Sequence, residues 1–422
     1  MKWLLALLAA AFLVVGCNKG GTNQNSTDLR ALNVVVDAEP LDVLVDNDVK
    51  FTKVAAGTTT DFTNFDSGTR SVIIRSSTTL ATLATLQINF PSDSRGTLVM
   101  FGKRAALGVT LLTNDTITPG AGNARVSFVG LAPDAGSVDF YLVTGNTITG
   151  ATPTVAAVTA GIATPAVEVP GNNYNIIVTT AGTQDVVFQT SAPVNIAAGS
   201  TFTVGVVPSL SGKLVNGLLI NQGSGTVTPL SNPIARVKAA NGIPGDTTLN
   251  FKADGTVLLT AVPFTGVSSY VSTASGSHAL QIEASNVPGT NIASITKTLD
   301  PARDFTILAM GTIAAPTLSV LADDNTVPST GNSRLRFVNA VAGLNVDVLV
   351  NFASQATNIA PGTASPYFTI AAGTNYTITF TTPGGVNVVA TISGAELDSG
   401  FVYSAYLFGT PTSARAILVR DR

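Results

Sequence analysis

The 422-residue chain has one cysteine and one histidine, and only 11% of its residues are charged. A single cysteine, Cys17, excludes an internal disulfide framework and any thiolate zinc cluster, so stability must come from packed cores. A single histidine, His278, leaves a Ser-His-Asp or Cys-His arrangement with one possible base, and no G-x-S-x-G stretch accompanies it. The net charge of −3 provides no basic field and removes electrostatic support for nucleic-acid binding. Phosphate loops fail on spacing, because Gly205 to Gly217 contains Gly-Lys but has Leu214 where a Ser or Thr should hold magnesium. No catalytic residue, cofactor or metal is expected.

The only long apolar run lies at the N-terminus. Lys2 precedes an uncharged segment, Trp3 to Val15, too short to cross about 30 Å of hydrocarbon as a helix. It reads as a secretory signal over residues 1–16. At its end, Val14-Val15-Gly16-Cys17 resembles the lipobox of bacterial lipoproteins, in which the cysteine is acylated and becomes the mature N-terminus. That resemblance implies lipidation of Cys17, a membrane partner reached through two or more hydrocarbon chains, and, with Asn18 in place of an aspartate, the outer membrane. Residues 17–27 are polar and poor in apolar side chains, as a flexible tether would be.

Behind the tether one pattern appears four times. "ARVSFVGLAPDAGSVDFYL" at Ala124 reappears as "SRLRFVNAVAGLNVDVLV" at Ser333, with weaker copies at Leu29 and Ala235. The leading arginines, Arg30, Arg125, Arg236 and Arg334, recur at intervals of about 100 residues, the size of one β-sandwich domain. Each copy continues with "RSVIIRS", "YNIIVTT", "HALQIEA" or "YTITFTT", and then with "GTLVMFG", "FTVGVV", "FTILAMG" or "YSAYLFG". In "YTITF", Tyr376, Ile378 and Phe380 share one face and Thr377 and Thr379 the other, the period of a half-buried strand. The expected fold is all-β: four tandem antiparallel β-sandwich domains over residues 28–118, 123–222, 233–324 and 332–422. The Gly/Pro/Ser stretches at Thr118, Asn221 and Asp323 are read as linkers.

The phrase R-x-x-F-V-N-A at Arg334, followed by V-D-V-x-V and Y-x-I-x-F-T-T-x-G, resembles the bacterial secreted and lipoprotein family called domain of unknown function 4397. The resemblance implies immunoglobulin-like sandwiches, often in tandem, and no known activity. In this alignment the third copy has Ala239 where Phe337 stands, and the first has Asn33.

Charged residues are few enough to weigh singly. Asp46 with Asp48, and Asp323 with Asp324, are the densest acidic clusters. Neither has the spacing of a calcium loop with a distal glutamate, and turns favour aspartate. Arg334 is expected to face Asp347 across two strands on the solvent side, as Arg125 faces Asp139 and Arg30 faces Asp42, with Asn250 opposite Arg236. His278 takes the repeat position of Arg70, Tyr174 and Tyr376, a structural place.

These features point to a lipid-anchored surface protein of the cell envelope. Its sandwiches would form a semi-flexible string with modest contacts between units, used for non-catalytic adhesion, spacing or binding of an unidentified protein or glycan. The alternative is a carbohydrate-active enzyme using loop carboxylates, which needs two acids at about 5 to 9.5 Å. An outer-membrane barrel conflicts with 6% aromatics and with division into four units.

Overall fold

A computed structural model describes residues 26–422. The first unit has eight strands: β1 (Ser26–Asn33), β2 (Leu41–Val45), β3 (Asp48–Val54), β4 (Thr63–Asp66), β5 (Gly68–Ser76), β6 (Thr82–Phe90), β7 (Ser94–Lys103) and β8 (Ala106–Thr113). They form two sheets, ordered β4-β1-β7-β8 and β3-β2-β5-β6. The third unit repeats this order, and the second and fourth repeat it with one extra short strand in a sheet or two. The expected tandem sandwiches are therefore present, with one refinement. In every unit the strand equivalent to β1 runs parallel to the equivalent of β7, while the other neighbours are antiparallel. Ser26 and Thr27, read as the end of a tether, lie in β1. Within the stretch read as a linker after Asn221, strand Val227–Leu230 pairs with Asn216–Asn221 and extends the second unit.

Each sandwich encloses its own core, for example Leu29, Val43, Ile74 and Met100 in the first unit and Phe337, Val348, Phe380 and Leu407 in the fourth. A fully buried side chain of this size contributes roughly 1.5–3 kcal/mol relative to an exposed one. A different feature changes the architecture. The sheet carrying β1 and β7 is apolar on both faces, and its outer face packs against the same face of a neighbouring unit. Leu32, Val99 and Phe101 of the first unit meet Val129, Leu131 and Leu218 of the second. Ala240 and Leu308 of the third meet Val338, Tyr406 and Phe408 of the fourth.

The units thus form two face-to-face pairs, and the expected modest contacts are corrected to two shared apolar seams. The pairs also touch each other. Leu214 of the second unit packs with Ile234 and Ala302 of the third, Asn232 donates to the carbonyls of Val187 and Val215, and Arg422 donates to the Asp134 carbonyl.

Candidate functional site

The most concentrated chemistry lies inside the seam between units three and four. Lys238 and Arg336 point out of their strands, away from their own cores, and are 2% and 1% exposed. Each finds an acid from the opposite unit: Lys238 pairs with Asp421, and Arg336 Nη2 lies 2.6 Å from Asp323 Oδ1. Lys238 precedes Asp323 by the same number of residues as Arg336 precedes Asp421. The arrangement is therefore a pseudo-two-fold exchange, like an isologous dimer interface made within one chain.

The supporting groups obey the same symmetry. Asp323 Oδ2 accepts from Tyr270 Oη at 2.5 Å and Thr306 Oγ1 at 2.7 Å, while Asp421 Oδ2 accepts from Ser404 Oγ at 2.5 Å and Tyr367 Oη at 3.5 Å. Rings of Tyr270 and Tyr367 lie under the cations. Burial opposes the charge on Lys238 and Arg336, but Asp421 and Asp323 outweigh it and hold both pKa values above the ordinary range. Burial alone would raise the Asp323 carboxyl; Arg336, Lys238 and the two hydroxyl donors carry it below the usual carboxylate range. Burial, with the nearby carboxylates, pushes the Tyr270 phenol well up, so it stays a donor. Asp323 is a buried strand residue rather than a turn residue, whereas Asp324 does make the expected local turn, its Oδ1 accepting from the Thr326 N–H at 3.1 Å.

The leading arginines act on the same seams. Arg125 Nε lies 2.5 Å from Asp115 Oδ2, and Arg334 Nη2 lies 2.9 Å from Asp324 Oδ2, each acid standing ten residues upstream in the segment that joins paired units. Arg236 holds Asp304 of its own unit through two bonds of 2.8 and 2.5 Å. None meets the expected partner. Asp42, Asp139, Asn250 and Asp347 lie in the opposite sheet, each facing a β-bulge. There each accepts from the backbone N–H of a residue with positive φ: Lys53, Ala157, Ala261 and Asn358, at 2.7 to 3.0 Å. The expected cross-strand pairs are thus replaced by bulge caps.

One alignment also shifts. Asn33, Asn241 and Asn339 make identical bonds, accepting from the N–H two residues on and donating to Val54, Val262 or Ile359. Ala31, not Asn33, therefore stands at the place of Phe337, and Arg30 is the equivalent of Arg336 and Lys238.

In the seam between units one and two the same places carry other groups. Arg30 is 4% exposed. Its Nε donates to Thr97 Oγ1 at 3.0 Å and its Nη1 to the Gly225 carbonyl. Ser127 replaces the second cation, and Asn114 and Gln222 replace the two acids. Gln222 donates to Thr203 Oγ1 at 2.9 Å and accepts from the Asp115 N–H at 2.6 Å, while Asn114 donates to the Gln222 carbonyl at 3.0 Å.

The remaining candidates are local. His278 lies with Nδ1 2.7 Å from Asp254 Oδ2 and Nε2 2.9 Å from the Ala274 carbonyl, tying a hairpin to an edge strand. Asp46 caps the equivalent hairpin through the Ser71 N–H and pairs with Arg70. Cys17 lies outside the described residues. Between the two pairs opens a polar cleft of about 660 Å³, a ligand-sized space, lined by Gln184, Gln189, Lys213, Arg236, Ser272 and Thr273. Sequence reasoning missed Lys238, Arg336, Asp421, Tyr270 and Tyr367. Its available signal was a charge inside an otherwise apolar strand, as in "RLRFVNA" and "RVKAANG".

Comparison with known proteins adds a family. The model of the family described as Domain of unknown function (DUF4397) matches residues 27–141, 235–344 and 337–422. A search of curated proteins finds no match. Fourteen solved chains match. One is the product complex of a multi-modular glycogen-degrading pneumococcal virulence factor SpuA, 10% identical, with a TM-score of 0.17, the match covering 88% of this chain and 38% of that one. At that score the likeness carries no argument about fold or activity.

Proposed function

The chain belongs to the DUF4397 family, and from that footing we propose that it is a lipid-anchored bacterial surface lipoprotein. Cys17 carries the anchor, in the outer membrane. The four sandwiches form a stiff scaffold for spacing or for binding an envelope or extracellular protein or glycan, without catalysis. The observation that carries this reading is the use of the charged groups. Asp115, Asp323, Asp324 and Asp421 hold seams and connecting segments, Asp304 holds Arg236 of its own unit and accepts from Asn325 of the connecting segment, and Asp42, Asp139 and Asp347 cap bulges. Carboxylates held by several donors are poor proton shuttles, since an acid or base must exchange its proton near the working pH.

Radiolabelled palmitate tests the anchor: it should enter the wild-type protein, and Cys17→Ser should lose both label and membrane retention. Unchanged retention of the serine variant rejects the anchored reading. For the scaffold, the lipid-free chain should capture a protein or glycan from envelope extract without turning over glycosidic substrates; hydrolysis lost on replacing Asp185, the carboxylate that lines the cleft between the pairs, would favour the enzyme.

A further inference from the structure

Arg30 poses a physical problem that its equivalents do not. Arg336 and Lys238 each face an acid, whereas no carboxylate comes within ion-pair distance of Arg30 among the described residues. A buried cation satisfied only by a hydroxyl and a carbonyl is costly unless an anion or water completes its shell. Its third nitrogen, Nη2, makes no hydrogen bond among the described residues. Arg30 Nη2 is not among the fully enclosed unpaired atoms, so the 4% of Arg30 left exposed leaves this nitrogen approachable.

A second cation stands beside it. Arg95 is exposed and makes no hydrogen bond or ion pair among the described residues. Its guanidinium carbon lies 4.0 Å from the centroid of the Phe62 ring, and that of Arg30 lies 4.7 Å from the same centroid. Asp28, the register neighbour of Arg95, has its Oδ1 occupied by Asn64 Nδ2 at 3.1 Å. In the third unit the place of Arg95 belongs to Asp304, which neutralises Arg236; the first unit reverses that pair, with Asp28 at the place of Arg236, but Asp28 and Arg95 form no ion pair among the described residues. Burial, and then Arg95, lowers the pKa of Arg30, the direction an absent counter-ion gives.

We propose that Arg30 and Arg95, set about the ring of Phe62 at the mouth of the first seam, form a binding site for a phosphate-class oxyanion. Guanidinium groups match phosphate oxygens through paired, charge-assisted bonds. Two sources share this chemistry, free phosphate and the phosphodiester of a membrane lipid. The lipid source rests on the anchored reading. Arg30 follows Cys17 by a short segment, and even fully extended at about 3.3–3.6 Å per residue it could lie no more than about 45 Å from the acylated cysteine.

The test uses the chain from Asn18 to Arg422, so that its outcome is independent of whether Cys17 is acylated. Inorganic phosphate is titrated against sodium chloride of equal ionic strength while the arginine Nε–H resonances are followed by NMR. The Arg30 and Arg95 signals should shift saturably with phosphate and not with chloride. Arg95→Gln, at an exposed position, should keep the melting temperature and weaken binding at least about tenfold, the loss of one charge-assisted interaction. Arg30→Gln should weaken it at least as much. Vesicles containing phosphatidylglycerol, but not phosphatidylcholine alone, should displace phosphate if lipid is the source; displacement by neither assigns the site to free phosphate. Absence of a saturable shift, or a titration unchanged by Arg95→Gln, overturns the proposal.

Discussion

The seam between units one and two and the seam between units three and four are built from the same strand positions, yet they treat buried charge in opposite ways. The later seam places two cations and two acids in a closed exchange, Lys238 to Asp421 and Arg336 to Asp323. At those four places the earlier seam keeps one cation, Arg30, with Ser127, Asn114 and Gln222 at the other three, and its cross-unit ion pair, Lys103 with Asp134, is partly exposed. Their apolar parts differ too. A β-carbon on Gly242 would lie 3.0 Å from Ala340 Cβ and from Phe408 Cδ1, so unit four inserts a large ring against a glycine of unit three. In the first pair the large ring comes from the leading unit, where Phe101 Cζ would lie 2.9 Å from a β-carbon on Gly161. A face shaped this way accepts its own partner and rejects the face of the other pair, by charge number and by which side carries the bulk. The difference teaches that repeated units can share a fold while each seam specifies its neighbour.

The largest effect should come from stranding a charge. Arg336→Met leaves Asp323 buried without its guanidinium and is expected to destabilise the second pair by about 3–5 kcal/mol. Arg30→Met strands no acid, and should change stability by no more than about 1 kcal/mol. Urea unfolding of the chain from Asn18 onward measures both. Equal losses would break the comparison, showing that the first seam depends on its cation as the second does.

Acid should separate the seams more gently. The folded pKa of Asp323 lies below its unfolded value, so its contribution is fully present above about pH 4 and is lost as pH falls through the folded value. Lys238 has the opposite sign: its folded pKa is raised, so its contribution is complete below about pH 10 and goes only as pH rises past the folded value. At the places of those acids the earlier seam has Asn114 and Gln222, which take up no proton in this range, and its own carboxylates, Asp115 and Asp134, pair with Arg125 and Lys103 where both partners are partly exposed. Hydrogen exchange between pH 4 and pH 2 should therefore accelerate at Ala240 and Ala340 before it does at Leu32 and Val129. Simultaneous opening would mean that the carboxylates do not control the later seam.

The strands were legible because their outer sheets alternate. β6, "TLATLQINF", exposes one face along most of its length, and "YTITF" shows the same period. The seams were also written in the sequence, in the lack of alternation: "TLVMF" in β7 and "SAYLF" in Val402–Thr410 are apolar at every step but one, as strands covered on both faces must be. The expectation of a semi-flexible string rests on the Gly/Pro/Ser stretches between units and does not use this lack of alternation. Phase was harder to read. Moving Arg30 by two residues, from the place of Arg334 to that of Arg336, keeps every side chain on its face, so hydrophobic pattern cannot detect the error. The site residues were obscure for a related reason. Arg334 and Asp347 each face away from their own core, but they lie on different sheets of the sandwich, and only topology decides that. Asp421 and Lys238 meet across two units, a pairing that no local spacing reports.

The smallest expected effect concerns a device that all four units share and that should be blind to the seams. Asp347 accepts from the N–H of Asn358 at 2.7 Å through Oδ1 and from that of Gly384 at 2.8 Å through Oδ2. Asp139 does the same with Ala157 and Gly182. In the third unit Asn250 accepts from Ala261 at 2.9 Å, but its amide donates to Glu283 Oε1 at 3.1 Å, and Glu283 Oε2 accepts from Gly289 at 2.9 Å. The carboxylate has moved one strand over, onto the residue that pairs with Asn250 in the ladder. Asp347→Asn alone would turn an amide N–H toward the Gly384 N–H, leaving two donors facing each other, and should cost about 1 kcal/mol. Thr381 is the ladder partner of Asp347, so adding Thr381→Glu recreates the arrangement of the third unit and should recover most of that loss in urea unfolding. Failure of the second substitution to restore stability would show that the two forms of the cap are not interchangeable and that the third unit relies on Lys252, which lies 3.1 Å from Glu283 Oε2, to hold its version in place.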